Sequence, residues 1–254
     1  MMSIYSPLPD DHIRIIELQP GERDDSLVCN LIPVSTQPWP DYETISDVWG
    51  DPNITRPICC NSESLPITRN LGHALRALRH HNRCRRLWAD AICINQRDLR
   101  ERDQRVRLMH WVYANAQQVV NWLGLDNGSA KVAAEFIASV SKAYWSYAWD
   151  KESWGEGLVI KSFKSNRVSW DALADILDRA LLERVWVIQE LGRALKAMLR
   201  CSDIEIPWEN LTRTAALLGL HCRVTSQSLN ARFAHVMLIE RMFLMYNHIG
   251  NHFG

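Results

Sequence analysis

The sequence predicts an α/β fold: three layers, with a mostly parallel sheet flanked by helices, and a helical C-terminal extension. Three observations predict it. Residues 87–124 read LWADAICINQRDLRERDQRVRLMHWVYANAQQVVNWLG, an apolar run ending near a carboxylate, a polar turn, an amphipathic helix and a second apolar run, the order that builds an α/β layer with polar groups at a strand end. Apolar content of 47% and charged content of 23% are those of an ordinary globular chain. At 254 residues the chain fits one large domain, or one domain with an extension.

The elements follow in order. Residues 1–40 are Pro-rich, with two short alternating runs at 13–18 and 27–31 that suit an edge hairpin. Residues 42–49 have β-propensity and stop at Gly50-Asp51-Pro52. Residues 51–66 hold Pro52, Pro57 and Pro66 and read as a long loop. Residues 68–81 form a helix with an apolar stripe of Leu71, Ala74, Leu75 and Leu78. A strand is expected over 87–94. A helix follows over 98–116, with Asp98 as N-cap, Glu101 closing a capping box and a stripe of Leu99, Val106, Met109, Val112, Tyr113 and Ala116. Residues 118–123 are the next strand. From Ser129 the pattern is helical, then irregular to Val168, as in an insertion; 170–182 and 184–199 read as helices, and the chain after Trp208 is helical to its end. The organisation expected is an extension over 1–40, a principal domain over 41–208 and a helical extension over 209–254. The apolar segment 233–246 runs almost into the last residue, as in a fragment of a longer chain or a subunit lacking its partner.

Composition excludes some classes. With 29 basic and 29 acidic residues the net charge is zero, so nothing supports a general affinity for nucleic acid or anionic membranes. The arginines within 76–86 and 97–107 read as solvated helix faces. The seven cysteines include no CxxC pair, which fits a reducing, cytoplasmic setting. The apolar segment near 236–246 is broken by Glu240 and Arg241 and is too short to span a bilayer. There is no Walker loop, GxGxxG or HExxH, and no Gly-x-Ser-x-Gly elbow. His80 and His81 point to different sides of a helix, so no metal site is expected. Cys93 reads as inert packing.

Three places carry candidate chemistry. Ser46-Asp47-Val48-Trp49-Gly50 gathers small and polar groups at a strand end, which suits either close approach of a ligand or an ordinary turn over Trp49. Asp90 is a carboxylate in an apolar run; it faces a ligand or holds the Asn95-Gln96 turn, since a buried carboxylate needs partners. Trp186 and Glu190 are four apart and share a helix face, away from the stripe of Ile188, Leu191, Leu195, Met198 and Leu199. That face is a pocket wall holding an acid, or a solvated face on which Glu190 pairs with Arg184 or Arg193.

Three blocks, YETISDVWGDP, the run from Ile67 to Gly124, and RVWVIQELGRA, together resemble the fungal heterokaryon incompatibility (HET) domain family. The resemblance covers about 42–208. Asp47 departs from it, standing where the family usually has an aromatic. The resemblance implies a cytoplasmic fungal protein of programmed cell death and innate immunity, acting when non-self is recognised. It further implies a remote likeness to TIR domains, hence a flavodoxin/TIR-like sheet. The Trp186…Glu190 spacing is similar to the TIR helix motif whose glutamate cleaves NAD. On that likeness Glu190 is the catalytic candidate and Ser46, Trp49, Asp90 and Trp186 are substrate-binding candidates. The implied activity is NAD glycohydrolysis, with NAD as substrate and no cofactor. The implied partners are a second copy of the chain and an upstream NLR-type or other incompatibility receptor. The alternative is a TIR-like death-signalling module that self-assembles without catalysis.

Overall fold

Strand β1 (His12–Leu18) is buried along almost its whole length, with Ile13, Ile15, Ile16 and Leu18 each at most 2% exposed, the pattern of a strand covered on both faces. It belongs to a computed structural model that describes residues 4–51, 53–149, 166–184, 190–191, 194–221 and 227–250. The chain divides into two compact units, Met1–Gly124 with Arg193–Lys196, and Leu125–Gly192 with Ala197–Gly254.

In the first unit β1 pairs antiparallel with β2 (Val28–Ser35). Next come β3 (Glu43–Ser46), β4 (Thr55–Cys60), β5 (Glu63–Thr68), helix α1 (Arg69–Leu78), β6 (Arg85–Trp88), the single turn α2 (Asp90–Cys93), α3 (Leu99–Ala114) and β7 (Gln118–Gly124). Their order in the sheet is β5-β4-β2-β1-β6-β3-β7. The pairs β3–β6, β3–β7 and β2–β4 are parallel, whereas β1–β2, β1–β6 and β4–β5 are antiparallel. The sheet is therefore α/β but mixed, which corrects the mostly parallel expectation. The hairpins β1–β2 and β4–β5, with the antiparallel contact of β1 on β6, make up the antiparallel share. The first hairpin is interior rather than at an edge, because β4 covers β2 and β6 covers β1.

Residues 51–66 are not a loop but most of the β4–β5 hairpin. Asn61 (φ 51°) and Ser62 (φ 64°) form its two-residue turn, the left-handed pair that such hairpins need. Pro57 and Pro66 face each other in the register. Counting from the closing Cys60–Glu63 pair, they fall at a non-hydrogen-bonded position, so neither missing N–H breaks the pairing.

The run 87–94 also departs from expectation. β6 ends at Trp88, and the N–H groups of Ile92 and Cys93 bond back to the Ala89 carbonyl at 3.1 and 2.8 Å. Short apolar runs do not distinguish strand from helix by periodicity.

Helix α3 starts as expected: Asp98 accepts from the Arg100 and Glu101 amides at 3.0 and 3.2 Å. The capping box does not form, because Glu101 turns to Arg14 and to the Asn95 amide at 2.9 Å. Its buried face also differs. Leu99 and Val106 are exposed while Arg105 is 5% exposed, its guanidinium donating to the carbonyls of Leu8, Pro9, Asp10 and His12. On the same side, Trp88 packs edge-on to Tyr113 with centroids 5.7 Å apart, and the Tyr42 hydroxyl donates to the Val112 carbonyl at 2.6 Å.

In the second unit α4 (Ala130–Trp149) packs on α5 (Arg167–Leu177) and α6 (Trp208–His221), and α6 packs on α7 (Gln227–Gly250). Ile137, Val140, Leu173, Leu211, Leu218, Phe233 and Ile239 are buried there. Asp126 starts α4 by accepting from the Gly128 and Ala130 amides at 3.0 and 2.9 Å. The expected helix 184–199 does not continue to its end: Ala197–Cys201 is strand β8, antiparallel to β9 (Ile204–Pro207). Among the described residues no helix is long and apolar enough to cross a membrane.

Candidate functional site

The parallel strands β6, β3 and β7 end side by side, and their carboxyl edge gathers the polar residues of the first unit, as open α/β sheets do. Thr44 is in register with Trp88, and Ser46 with Asn121. The chain leaving β3 carries Ser46 and Asp47, each 2% exposed. Asn70, in the first turn of α1, joins this edge together. Its Nδ2 donates to the Val48 carbonyl at 2.7 Å and to Asp47 Oδ2 at 3.4 Å, and its Oδ1 accepts from Trp122 Nε1 at 3.1 Å. Thr68 sets α1 in place, accepting from the Leu71 amide at 3.3 Å.

Beyond Asp47 the chain turns outward. Trp49 is 38% exposed, and its Nε1 donates to Asp90 Oδ1 at 3.2 Å. Asp90 opens α2. The same Oδ1 accepts from the Ala91 amide at 2.7 Å, and the Asp90 carbonyl accepts from Gln96 Nε2 at 2.9 Å. Gly50 follows with φ +68°, and a Cβ there would meet nothing within 4 Å, so the turn after Trp49 is uncrowded at Gly50. The result is an indole held by one edge with part of its surface in water, beside a carboxylate. Such a pair can take a flat, hydroxyl-bearing ligand. Cys93 is buried at the far end of α2, where burial pushes its thiol well up, in keeping with packing rather than nucleophilic use.

Ser46, Trp49 and Asp90 are thus brought together in one unit. Glu190 lies in the other unit and is 5% exposed, out of water rather than on a solvated face. Trp186 falls outside the described residues. Among the described residues no group of three His, Cys, Asp or Glu side chains gathers as a metal site.

Asn70 and Trp122 were not singled out by sequence reasoning. A signal was present for each. Asn70 sits four residues before Ala74, in line with the buried stripe of α1, where an apolar residue is due. Trp122 is 1% exposed in an apolar strand, and a buried indole N–H needs an acceptor.

The heterokaryon incompatibility protein (HET) family model matches residues 42–190. Heterokaryon incompatibility protein 6, OR allele, of Neurospora crassa is 34% identical, over an alignment that covers 76% of this chain and 33% of that protein. The chain thus spans about a third of the length of that curated relative. No solved structure matches the chain.

Proposed function

The chain belongs to the heterokaryon incompatibility (HET) family, and from that premise we propose that it is a cell-death effector of fungal non-self recognition that cleaves the nicotinamide–ribose bond of NAD. In this reading residues 41–208 are the effector domain, 209–254 a helical extension, and the protein acts in the cytoplasm. The observation that carries the reading is Glu190: a carboxylate four residues after Trp186, only 5% exposed.

The chemistry suits such a group. The C1′–N bond breaks with its electron pair leaving on the nicotinamide nitrogen, which neutralises that ring and needs no general acid. Positive charge develops at C1′, and a carboxylate fixed in a dry environment stabilises it or holds the ribose hydroxyls. Water then adds to C1′ and loses a proton, giving ADP-ribose. Ser46, Trp49 and Asp90 serve as ligand contacts, with Trp186 as a further one.

The test is NAD consumption by concentrated protein, with Glu190→Gln in parallel. Nicotinamide release by the wild type, reduced about a hundredfold or more in the variant, is the expected result. A folded variant that cleaves NAD at the wild-type rate would remove Glu190 from the mechanism. A folded, self-associated wild type without turnover would favour a death-signalling module that works by assembly alone.

A further inference from the structure

Helix α1 carries three basic side chains on one face. Arg69, His73 and Arg76 stand at i, i+4 and i+7, within about 60° of arc at 100° per residue. Arg76 folds back along the helix, with Nη1 donating to the Gly72 carbonyl at 3.3 Å. Arg56 joins them from β4. It shares the strand face of buried Ile58 and Cys60 and pairs across with Ile67, whose Cδ1 lies 3.7 Å from the position of a Cβ on Gly72. The imidazole of His73 responds to the whole group: burial, then Arg69, Arg56 and Arg76, hold it below its ordinary value.

No carboxylate answers this charge among the described residues. None of the four basic groups is in an ion pair there. Helix α1 packs against β4, β5 and β7, whose charged side chains are Arg56 and Glu63. Glu63 pairs with Cys60 at the turn end, about 13 Å along the strand from Arg56. The segment that meets α1, where the Ile54 carbonyl accepts from the Arg69 amide at 3.1 Å, carries Asp47 and Asp51; Asp47 is buried, its Oδ2 accepting from Asn70 Nδ2 at 3.4 Å, and Asp51 Oδ1 accepts from the Asn53 backbone and side chain at 2.9 and 3.0 Å. Like charges gathered without a counter-charge raise the free energy of the unliganded protein, and an anion relieves it. Arg69 also adjoins Asn70, the residue that joins α1 to the strand-end cluster.

We propose that Arg56, Arg69, His73 and Arg76 form a phosphoryl-anion subsite that holds the diphosphate of a nucleotide whose ring lies at the strand-end cluster. That the ligand is a nucleotide rests on the NAD-cleavage reading; the anion site itself does not.

The experiment titrates the full chain with inorganic pyrophosphate, by calorimetry and by NMR of the His73 imidazole assigned with H73Q. Saturable binding that raises the His73 titration midpoint, weakened about tenfold or more in R56Q/R69Q, is the expected result. No saturation, or equal affinity in the folded double variant, overturns the subsite. Binding only to vesicles of phosphatidylserine in phosphatidylcholine, with no response to pyrophosphate, overturns it as a site for a soluble nucleotide. Pyrophosphate binding without NAD turnover leaves the subsite standing and removes the enzymatic reading. NAD turnover with an unchanged KM in R56Q/R69Q does the reverse.

Discussion

The first unit contains two polar clusters made of similar residues and put to opposite use. Behind β1, Arg14 is 2% exposed at its side chain and forms a two-pronged ion pair with Glu101, itself 12% exposed. Arg14 also donates to the Cys93 and Ser6 carbonyls at 3.2 and 2.7 Å, and Arg105 binds four carbonyls of the N-terminal segment nearby. At the strand ends, Trp49 and Asp90 meet through a 3.2 Å bond, with the indole part-exposed at the surface. Charge enclosed by main-chain carbonyls organises the fold. Charge beside an exposed ring stays within reach of solvent. The lesson is that an arginine or aspartate is read from what surrounds it, not from its presence in a motif.

The sharpest way to break this contrast is Glu101→Ala. It leaves Arg14 charged and buried without its counter-ion, and about 3–5 kcal/mol of stability should be lost, measured by urea denaturation. A loss below about 1 kcal/mol would show the pair to be no more structural than a surface ion pair. The same group predicts an acid response. Burial alone would push the Glu101 carboxyl up, but the bond to Arg14, the Asn95 amide and the Arg105 charge outweigh it and hold it below its ordinary value of 4.5. Its contribution is therefore fully present above the unfolded value and is lost as pH falls below 4.5 through the lowered native one. Glu101→Gln should flatten the stability–pH curve in that window.

Asn70→Ala tests the boundary between the two kinds of cluster. It takes the acceptor from the Trp122 indole N–H and the donor from the Val48 carbonyl, and should cost about 1–3 kcal/mol, with altered tryptophan fluorescence. Asp90→Asn gives the smallest stability effect, within about 1 kcal/mol for a half-buried group at the rim. It should nevertheless abolish nucleotide binding measured by calorimetry. A large stability loss with binding intact would move Asp90 to the structural class.

Much of this was legible in residue patterns, and the failures have physical reasons. The α3 N-cap at Asp98 and the apolar stripe of α1 follow from local chemistry, which short windows carry. The β4–β5 hairpin was hidden by two prolines, because their harmless placement depends on pairing register and not on local sequence. The strand AMLRC looked helical because five apolar-rich residues satisfy either period. Arg105 reads locally as a solvated charge, because the four carbonyls that enclose it come from a segment more than ninety residues away. At the candidate site, Ser46, Trp49 and Asp90 were found through their places at strand ends. Asn70 was missed because its three partners come from other elements.

Helix α2 gives the two clusters a common part. Asp90 at its first residue holds Trp49, while the carbonyls of Ile92 and Cys93 at its last are held by the Tyr5 hydroxyl and Arg14. Only about 4.5 Å of helix rise separates these ends. One four-residue turn is thus a shared foundation: whatever unwinds it loosens the Trp49 edge and the first residues of the chain together.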